Sequence, residues 1–170
     1  VKLVGDCVAF VVAETYAQAR DAAELIDVDY ESLPSVTDVE GAIAEGAPAV
    51  WPDCPDNISF FEEKGDAAAV DAAFARADHI VQQKMVVNRV TAVAMEPRGC
   101  LGDYDERQGR YTLYTGLQNP HPLRQQLAQE IFNIPETDVR VIPGDVGGSF
   151  GMRGGTYNEL PLVLWASRLI

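Results

Sequence analysis

The sequence predicts an α+β fold, and three kinds of local pattern indicate it. Apolar runs of strand length occur at residues 7–13 and 139–143. A helix-start signal is present at Thr15, with Gln18 three residues later in the spacing of a capping box. A cluster of turn residues at 105–109 separates two more strand-like segments and predicts a hairpin. The order of the strands in the sheet does not follow from these patterns.

The N-terminal residues predict a small strand–helix–strand unit. Residues 7–13 are almost continuously apolar, which favours a buried strand. Thr15 is expected to cap a helix that runs to about Leu25. Residues 26–30 then alternate apolar and acidic side chains, which is typical of a half-exposed strand.

Two short helices are predicted in the next part of the chain. Asp38 is expected to cap a helix that reaches about Glu45. Residues 47–57 contain proline, aspartate and asparagine with little periodicity, so they predict a connector. Asp66 is expected to cap an alanine-rich helix over residues 67–77.

Strands dominate the prediction for the middle of the chain. Residues 79–88 are predicted to form a strand, and Lys84 and Arg89 near its end are expected to be solvated. Residues 98–104 and 110–115 are predicted to pair as a hairpin.

A helix is predicted to begin where an asparagine precedes a proline. Asn119 is a suitable cap and Pro120 suits the first helical position. Leu123, Leu127 and Ile131 follow at intervals of four and predict the apolar stripe that this helix buries.

Charge and cysteine usage exclude several functional classes. The formal net charge is −13 and no basic stripe is visible, which disfavours nucleic acids and anionic membranes as partners. No apolar run is long enough to span a bilayer, and no secretory signal pattern is present. Cys7, Cys54 and Cys100 are odd in number and far apart, which is typical of reduced thiols and predicts a cytoplasmic protein.

A glycine-rich segment is the strongest functional signal. Residues 144–155 read GDVGGSFGMRGG, between the strand-like run 139–143 and a helix-like run at 158–170. Backbone N–H groups in such a loop can face an anion, and the missing side chains let a ligand approach the chain. The segment fits neither the P-loop pattern nor G-x-G-x-x-G. The residues alone therefore predict only a phosphate or cofactor loop.

Four segments, in order along the chain, carry a family resemblance. Residues 147–153 (GGSFGMR) resemble the GGGFG-x-K loop of the molybdenum hydroxylases, a family that includes xanthine dehydrogenase, aldehyde oxidoreductases and aerobic carbon monoxide dehydrogenase. Residues 4–14 (VGDCVAFVVAE) resemble a strand of that family's α/β hammerhead domain. Residues 95–98 (MEPR) and 114–121 (YTGLQNPH) resemble two segments of its catalytic domain. The resemblance is to the large, molybdopterin-binding subunit.

The resemblance implies a division into two partial domains. Residues 1–63 would be the C-terminal part of the hammerhead domain with a connector, and residues 64–170 the N-terminal part of the first molybdopterin-binding domain. The sequence starts at Val1 within a strand-like region and stops at Ile170 within an apolar helix. We therefore expect an internal fragment of a longer subunit.

Cofactor-binding residues are implied by the same resemblance. The glutamine that matches Gln118 hydrogen-bonds an oxo ligand of molybdenum in the family, without binding the metal itself. The loop residues that match Gly147, Gly148, Phe150 and Gly151 pack against the molybdopterin. No residue of the chain is expected to be a direct metal ligand.

Further residues have a less defined expected role. Glu96 and Arg98 either form ion pairs with packing partners or line the site. Arg153 stands where lysine is common in the family and is a further candidate for lining the site. Ser149 replaces a glycine of the family loop, which adds a side chain where the backbone must approach the ligand.

The activity implied for the parent subunit is the oxidation of a small substrate with oxygen derived from water. Its cofactor would be molybdopterin with molybdenum, in the cytosine dinucleotide form, and its partners subunits or domains that carry iron–sulfur clusters and FAD. The family's catalytic base is a glutamate in a Gly-x-Gly-Glu segment, which this sequence does not contain, so no catalytic residue is assigned and the isolated fragment is expected to be inactive. Members of the family oxidise purines, aldehydes, N-heterocycles or carbon monoxide, and the resemblance does not choose among these. A non-catalytic interaction module and an unrelated α/β nucleotide-binding domain remain as alternatives.

The helix predicted at residues 158–170 is apolar on most sides, relieved only by Ser167 and Arg168 near its end. A helix of this kind favours burial all round. Each large apolar side chain left in water forgoes roughly 1.5–3 kcal/mol of burial. We therefore expect the isolated chain to self-associate through this segment.

Overall fold

A three-stranded sheet organises the C-terminal half of the chain. β1 (Cys100–Asp105) pairs with β2 (Arg110–Thr115) in antiparallel fashion, and β3 (Val139–Ile142) pairs with β2 in parallel. The strand order is therefore β1-β2-β3. The computed structural model describes residues 1–88 and 90–170, so Arg89 lies outside the described residues. The mixture of helices with this sheet confirms the α+β fold class.

The hairpin forms at the predicted turn. The Asp105 carboxylate accepts hydrogen bonds from the backbone N–H groups of Arg107, at 2.9 Å, and Gln108, at 3.2 Å. Gly109 closes the turn with a φ of 64°, a conformation that glycine adopts without strain. The first strand begins at Cys100, two residues later than the predicted start at Arg98.

The N-terminal helices begin at the residues that the sequence indicates. α1 (Tyr16–Glu24) has the complete capping box, in which the Gln18 N–H donates to Thr15 Oγ1 at 3.3 Å and the Thr15 N–H donates to Gln18 Oε1 at 3.0 Å. Asp38 caps α2 (Val39–Ala42), which is shorter than predicted.

The alanine-rich helix α3 (Ala67–Ala75) is capped by Asp66, as expected. The C-terminal helix α5 spans Glu159–Ser167. It crosses β1 at Gly102, where an added Cβ would lie 2.6 Å from the Val163 carbonyl oxygen. The absence of a side chain at Gly102 therefore allows this helix to contact the sheet backbone closely.

The helix that follows Asn119 changes its geometry along its length. α4 (Pro120–Gln125) continues directly as a π-helix (Gln126–Phe132). Asn119 is at the cap position, as predicted, although its side chain makes no capping hydrogen bond. Pro120 at the first position removes one of the donors that a cap would satisfy.

The predicted stripe of this helix is only partly correct. Leu123 and Leu127 are buried, but Ile131 is 46% exposed. In π geometry the hydrogen-bond repeat lengthens from four residues to five. The core-facing positions accordingly fall five apart, with Ala128 after Leu123 and Phe132 after Leu127.

The hydrophobic core lies between the sheet, the α4/π-helix and α5. Leu113, Leu127 and Leu164 are fully buried and Val139 is 1% exposed. The Tyr111 ring stacks on Phe132 with centroids 5.0 Å apart. The remaining buried members of the cluster are Leu117, Leu123, Ala128 and Leu160.

Three predicted strands are not formed. Residues 7–13, 26–30 and 79–88 adopt no strand pairing among the described residues. The apolar run 7–13 was expected to be buried, yet Phe10 is 40% exposed and Val12 47% exposed. A strand is defined by hydrogen bonds to a neighbouring chain segment, and an apolar pattern does not supply that neighbour. The predicted strand–helix–strand unit is therefore wrong, although its helix is correct.

Two compact units divide the chain by their internal contacts. One comprises Val1–Asp6 with Asp27–Val87, and the other Cys7–Ile26 with Asn88–Ile170. In the first unit the Asn57 side chain accepts from the Val50 N–H at 2.9 Å and donates to the Ala42 carbonyl at 2.9 Å. The second unit contains the sheet. The domain boundary between residues 63 and 64 stays a prediction.

The described cysteines are free thiols. Within the part of the chain that the structure describes, none of the helices has the length and apolar character needed to cross a bilayer.

Candidate cofactor-binding site

Two strand-to-loop corners meet at one rim of the sheet. Because β2 and β3 are parallel, their carboxyl ends lie at the same edge. β2 ends at Thr115 and leads to Gln118, and β3 ends at Ile142 and leads into the glycine loop. The Gln118 N–H donates to the Arg153 carbonyl oxygen at 3.2 Å. The structure thus brings Gln118 against the end of the loop.

Left-handed backbone positions turn the loop at four residues. Gly144 has a φ of 61°, Gly148 of 104°, Phe150 of 52° and Gly151 of 88°. The conformation is natural for glycine but uncommon for a residue with a bulky side chain such as Phe150. The Phe150 side chain is 79% exposed, so the turn directs its ring outward from the core.

The middle of the loop presents backbone donors. The Gly147 N–H is used by Glu96, and the Met152 N–H donates to the Ser149 carbonyl at 2.9 Å. Among the described residues, no protein acceptor is present for the N–H groups of the four residues 148–151. A Cβ added at Gly151 would meet no atom within 4 Å. The loop therefore combines free donors with open space, which suits a polar ligand lying close to the backbone.

Ser149 is accommodated within the loop. Its Oγ accepts a hydrogen bond from the Arg153 N–H at 3.1 Å. The side chain that replaces the family's glycine thus folds back on the loop and stabilises its turn.

The Gln118 side chain lies beside a second glycine of the loop. A Cβ added at Gly154 would be 3.6 Å from Gln118 Oε1. Gln118 is exposed, and its amide has no hydrogen-bond partner among the described residues. One acceptor and one donor group are consequently available next to the loop.

Glu96 and Arg153 form a partly buried ion pair at the base of the loop. Arg153 Nη1 lies 2.8 Å from Glu96 Oε2, and the same oxygen accepts the Gly147 N–H at 2.6 Å. These two contacts, the Gly147 amide first and the Arg153 guanidinium second, lower the pKa of the Glu96 carboxyl below its ordinary value. The carboxylate therefore stays charged across the neutral range.

Arg98 makes a separate interaction at the start of α5. Its guanidinium lies 3.7 Å from the Tyr157 ring centroid and its Nη2 is 3.1 Å from Glu159 Oε1. Nearby, burial first and Glu159 second raise the pKa of the Cys100 thiol. Arg98 and Glu96 thus have different hydrogen-bond partners, and Arg98 is bonded to the first residue of α5.

Sequence reasoning missed the small residues that let these groups approach. A Cβ at Gly147 would lie 2.6 Å from Glu96 Cβ, and one at Gly116 would collide with Arg153 Nη1. The signal for Gly116 was available, because a glycine at the end of a strand pattern often marks a close approach of another segment.

Two family models match parts of the chain. A family model for the molybdopterin cofactor-binding domain matches residues 50–170. The chain belongs to this family. A second model, for the aldehyde oxidase and xanthine dehydrogenase a/b hammerhead domain, matches residues 1–34.

Individual relatives agree with the family assignment. The chain is 35% identical to the nicotine 6-hydroxylase large subunit of Paenarthrobacter nicotinovorans over 99% of its own length, and 34% identical to the carbon monoxide dehydrogenase large chain of Afipia carboxidovorans over 94%. These matches cover 20% and 21% of the two relatives, so the chain spans about a fifth of their length. The names of both relatives describe them as large subunits or chains.

Solved structures of related enzymes have the same fold. A Cu,Mo-CO dehydrogenase in its carbon monoxide-reduced state aligns with a TM-score of 0.79 and 30% identity, covering 91% of this chain and 21% of that one. Quinoline 2-oxidoreductase from Pseudomonas putida aligns with a TM-score of 0.77 and 34% identity, covering 92% and 20%. The family is one of molybdenum-dependent oxidoreductases.

The geometry of the loop fits a molybdopterin ligand. Its pterin and phosphate groups offer acceptors for backbone donors, which the residues 148–151 leave free. A Cβ at Gly148 would lie 3.0 Å from the Phe150 ring, whereas Gly151 faces open space. Gly148 is therefore required by the turn, and Gly151 leaves open space beside the backbone.

Proposed function

We propose that the chain forms part of the molybdopterin-binding subunit of a molybdenum-dependent hydroxylase that oxidises a small molecule with oxygen derived from water. The observation that carries this proposal is the loop of free N–H donors at residues 148–151 beside the free amide of Gln118. When bound, the cofactor supplies the two-electron redox chemistry.

The residues of this chain hold and orient the cofactor. Gly148, Phe150 and Gly151 would offer their backbone donors to it, and Gly147 secures the start of the loop. The amide of Gln118 would hydrogen-bond a ligand of molybdenum without bonding the metal. Preorganised donors of this kind need no rearrangement when charge develops in the reaction.

Other parts of the working enzyme lie outside residues 1–170. We infer a general base outside the chain, partner subunits or domains with iron–sulfur clusters and FAD that accept the electrons, and the cytosine dinucleotide form of the cofactor. The relatives act in complexes, which supports the expectation of partners. A cytoplasmic location accords with the free thiols.

A glycine substitution in the full subunit tests the cofactor site. Gly151→Val should abolish cofactor retention, measured as molybdenum and released pterin per subunit, because a side chain would displace the ligand from the backbone. Gly65→Val is the matched control, since Gly65 also has a positive φ, 115° against 88°, and also faces open space. Equal cofactor loss in both variants, or normal content in Gly151→Val, contradicts the assigned site.

The isolated chain is expected to behave differently from the full subunit. Residues 1–170 alone should contain no stoichiometric molybdenum and show no hydroxylase activity. Trp165 is 52% exposed, Leu169 64% and Ile170 89%, so the isolated chain should also self-associate through residues 158–170. Metal analysis and sedimentation test these expectations. About one molybdenum per chain contradicts the first, and a monomer at micromolar concentration the second.

A further inference from the structure

Arg153 is the charged side chain that the described part of the structure buries most completely, at 3% exposure. A buried charge is costly unless it is paired and hydrogen-bonded. Its Nη1 pairs with Glu96, and its Nη2 donates to the main-chain oxygens of Glu96 and of Pro97, the latter at 3.3 Å. One guanidinium therefore engages both the side chain and the backbone of the segment before β1.

A single carboxylate oxygen connects the two ends of the loop. Glu96 Oε2 accepts from the Gly147 N–H at its start and from Arg153 Nη1 at its end. In addition, the Glu96 N–H donates to the Gly147 carbonyl at 3.4 Å. The free part of the loop, residues 148–151, lies between these two fixed points.

Arg153 also connects the loop to the other corner of the rim. Its carbonyl oxygen accepts the Gln118 N–H at 3.2 Å, while its guanidinium fills the space that Gly116 leaves open. Arg153 therefore holds the loop against Glu96 through its side chain, and it holds Gln118 through its backbone carbonyl oxygen.

We propose that Glu96 and Arg153 are positioning residues that fasten the glycine loop beside Gln118 in the geometry that receives the cofactor. The inference rests on the proposed function, because it takes the loop as the molybdopterin site. Neither residue needs to touch the cofactor or the substrate. Glu96 fixes the loop ends, and Arg153 fixes the distance from the loop to Gln118.

Substitutions in the full subunit test this role. Arg153→Met keeps an unbranched apolar side chain in place of the arginine stem but removes every donor, and it should lower pterin and molybdenum content about tenfold at limiting cofactor, the order expected for loss of a charge-assisted hydrogen bond. Arg153→Lys should restore part of this content, because lysine keeps the charge but lacks the planar fork that reaches the two carbonyls. Glu96→Gln combined with Arg153→Met should lose no more cofactor than Arg153→Met alone, since the two residues act as a unit.

Arg124→Met is the matched control for simple destabilisation. Arg124 makes a comparable pair with Glu136, at 2.7 and 3.1 Å, and has no side-chain hydrogen bond to the loop among the described residues. It should lower the melting temperature of the subunit but leave the cofactor content near that of the wild type. If the cofactor loss of each variant, Arg153→Met and Arg124→Met, is in proportion to its fall in melting temperature, the positioning role is wrong.

Hydrogen exchange in the cofactor-free subunit provides a measurement independent of loading. Arg153→Met should speed exchange of the hydrogen-bonded amides of Gly147, Met152 and Arg153, with Arg124→Met unchanged there. Exchange as slow as in the wild type overturns the inference. A wild-type subunit that contains no molybdopterin refutes the proposed function alone, and the exchange rates then still decide whether the pair fastens the loop.

Discussion

β3 and the N-terminal run at residues 7–13 are both rich in valine but have different environments. Val139 in β3 is 1% exposed and pairs with β2, whereas Val12 is 47% exposed with no strand partner among the described residues. Both stretches are rich in β-branched and apolar residues. Pairing and coverage by helices, more than composition, therefore distinguish the stable part of the chain, and the glycine loop is attached to that stable part.

The largest expected loss of stability comes from a substitution in the hydrophobic core beneath the sheet. Leu127 is fully buried, so Leu127→Ala should reduce the free energy of unfolding by about 2–5 kcal/mol. Urea denaturation checks the value. A loss below about 1 kcal/mol, in the range of surface substitutions, would show that this cluster is not the principal core.

A second substitution tests the contact between α5 and the sheet. Gly102→Val places a side chain within 2.6 Å of the Val163 carbonyl and 2.9 Å of the Leu164 amide, both backbone atoms that cannot rotate away. The helix must shift, which should cost about 1–3 kcal/mol. Thermal melting measures the cost, and Gly99→Val is the control because an added Cβ there meets no atom within 4 Å. Equal melting temperatures for both variants contradict the close contact.

The same chemical change in both regions compares them directly. Val139→Thr buries an unpaired hydroxyl and should destabilise the chain by about 1–3 kcal/mol. Val12→Thr places that hydroxyl where water can solvate it, so the change should stay within about 0.5 kcal/mol. Paired denaturation curves measure the difference. Similar losses for both would mean that residues 7–13 are covered in solution.

Local signals in the sequence predicted the elements that depend only on neighbouring residues. Thr15, Asp38 and Asp66 cap their helices because the capping bonds span three residues. The hairpin turn at Asp105 is local in the same sense. Residues 7–13 failed because a strand needs a distant partner that periodicity does not identify.

The candidate site was predictable only in part, because only some of its features depend on neighbouring residues. The glycine pattern and the position of Gln118 mark two corners, and the parallel pairing of β2 and β3 brings those corners together. The Glu96–Arg153 contact joins residues 57 positions apart, and no local pattern encodes it. The π-helix was also missed, since Gln126–Phe132 shows an ordinary helical composition and its longer repeat arises from packing.

Glu96 is intermediate between the buried sheet residues and the exposed run at residues 7–13. The smallest expected effect concerns its titration. Its side chain is 42% exposed, yet the Gly147 N–H and Arg153 hold it in one position. Both contacts lower the pKa of Glu96 in the folded chain, so their stabilising contribution is fully present above the ordinary glutamate pKa of about 4.3 and is lost as the pH falls through the lowered value. The Gly147 amide proton resonance should therefore stay constant from pH 7 to pH 5 and shift only at pH values below the ordinary glutamate pKa. In Glu96→Gln that resonance should show no such transition. A transition between pH 5 and pH 7 in the unsubstituted chain would show that exposure outweighs the two hydrogen bonds and that the loop is not fastened by this carboxylate.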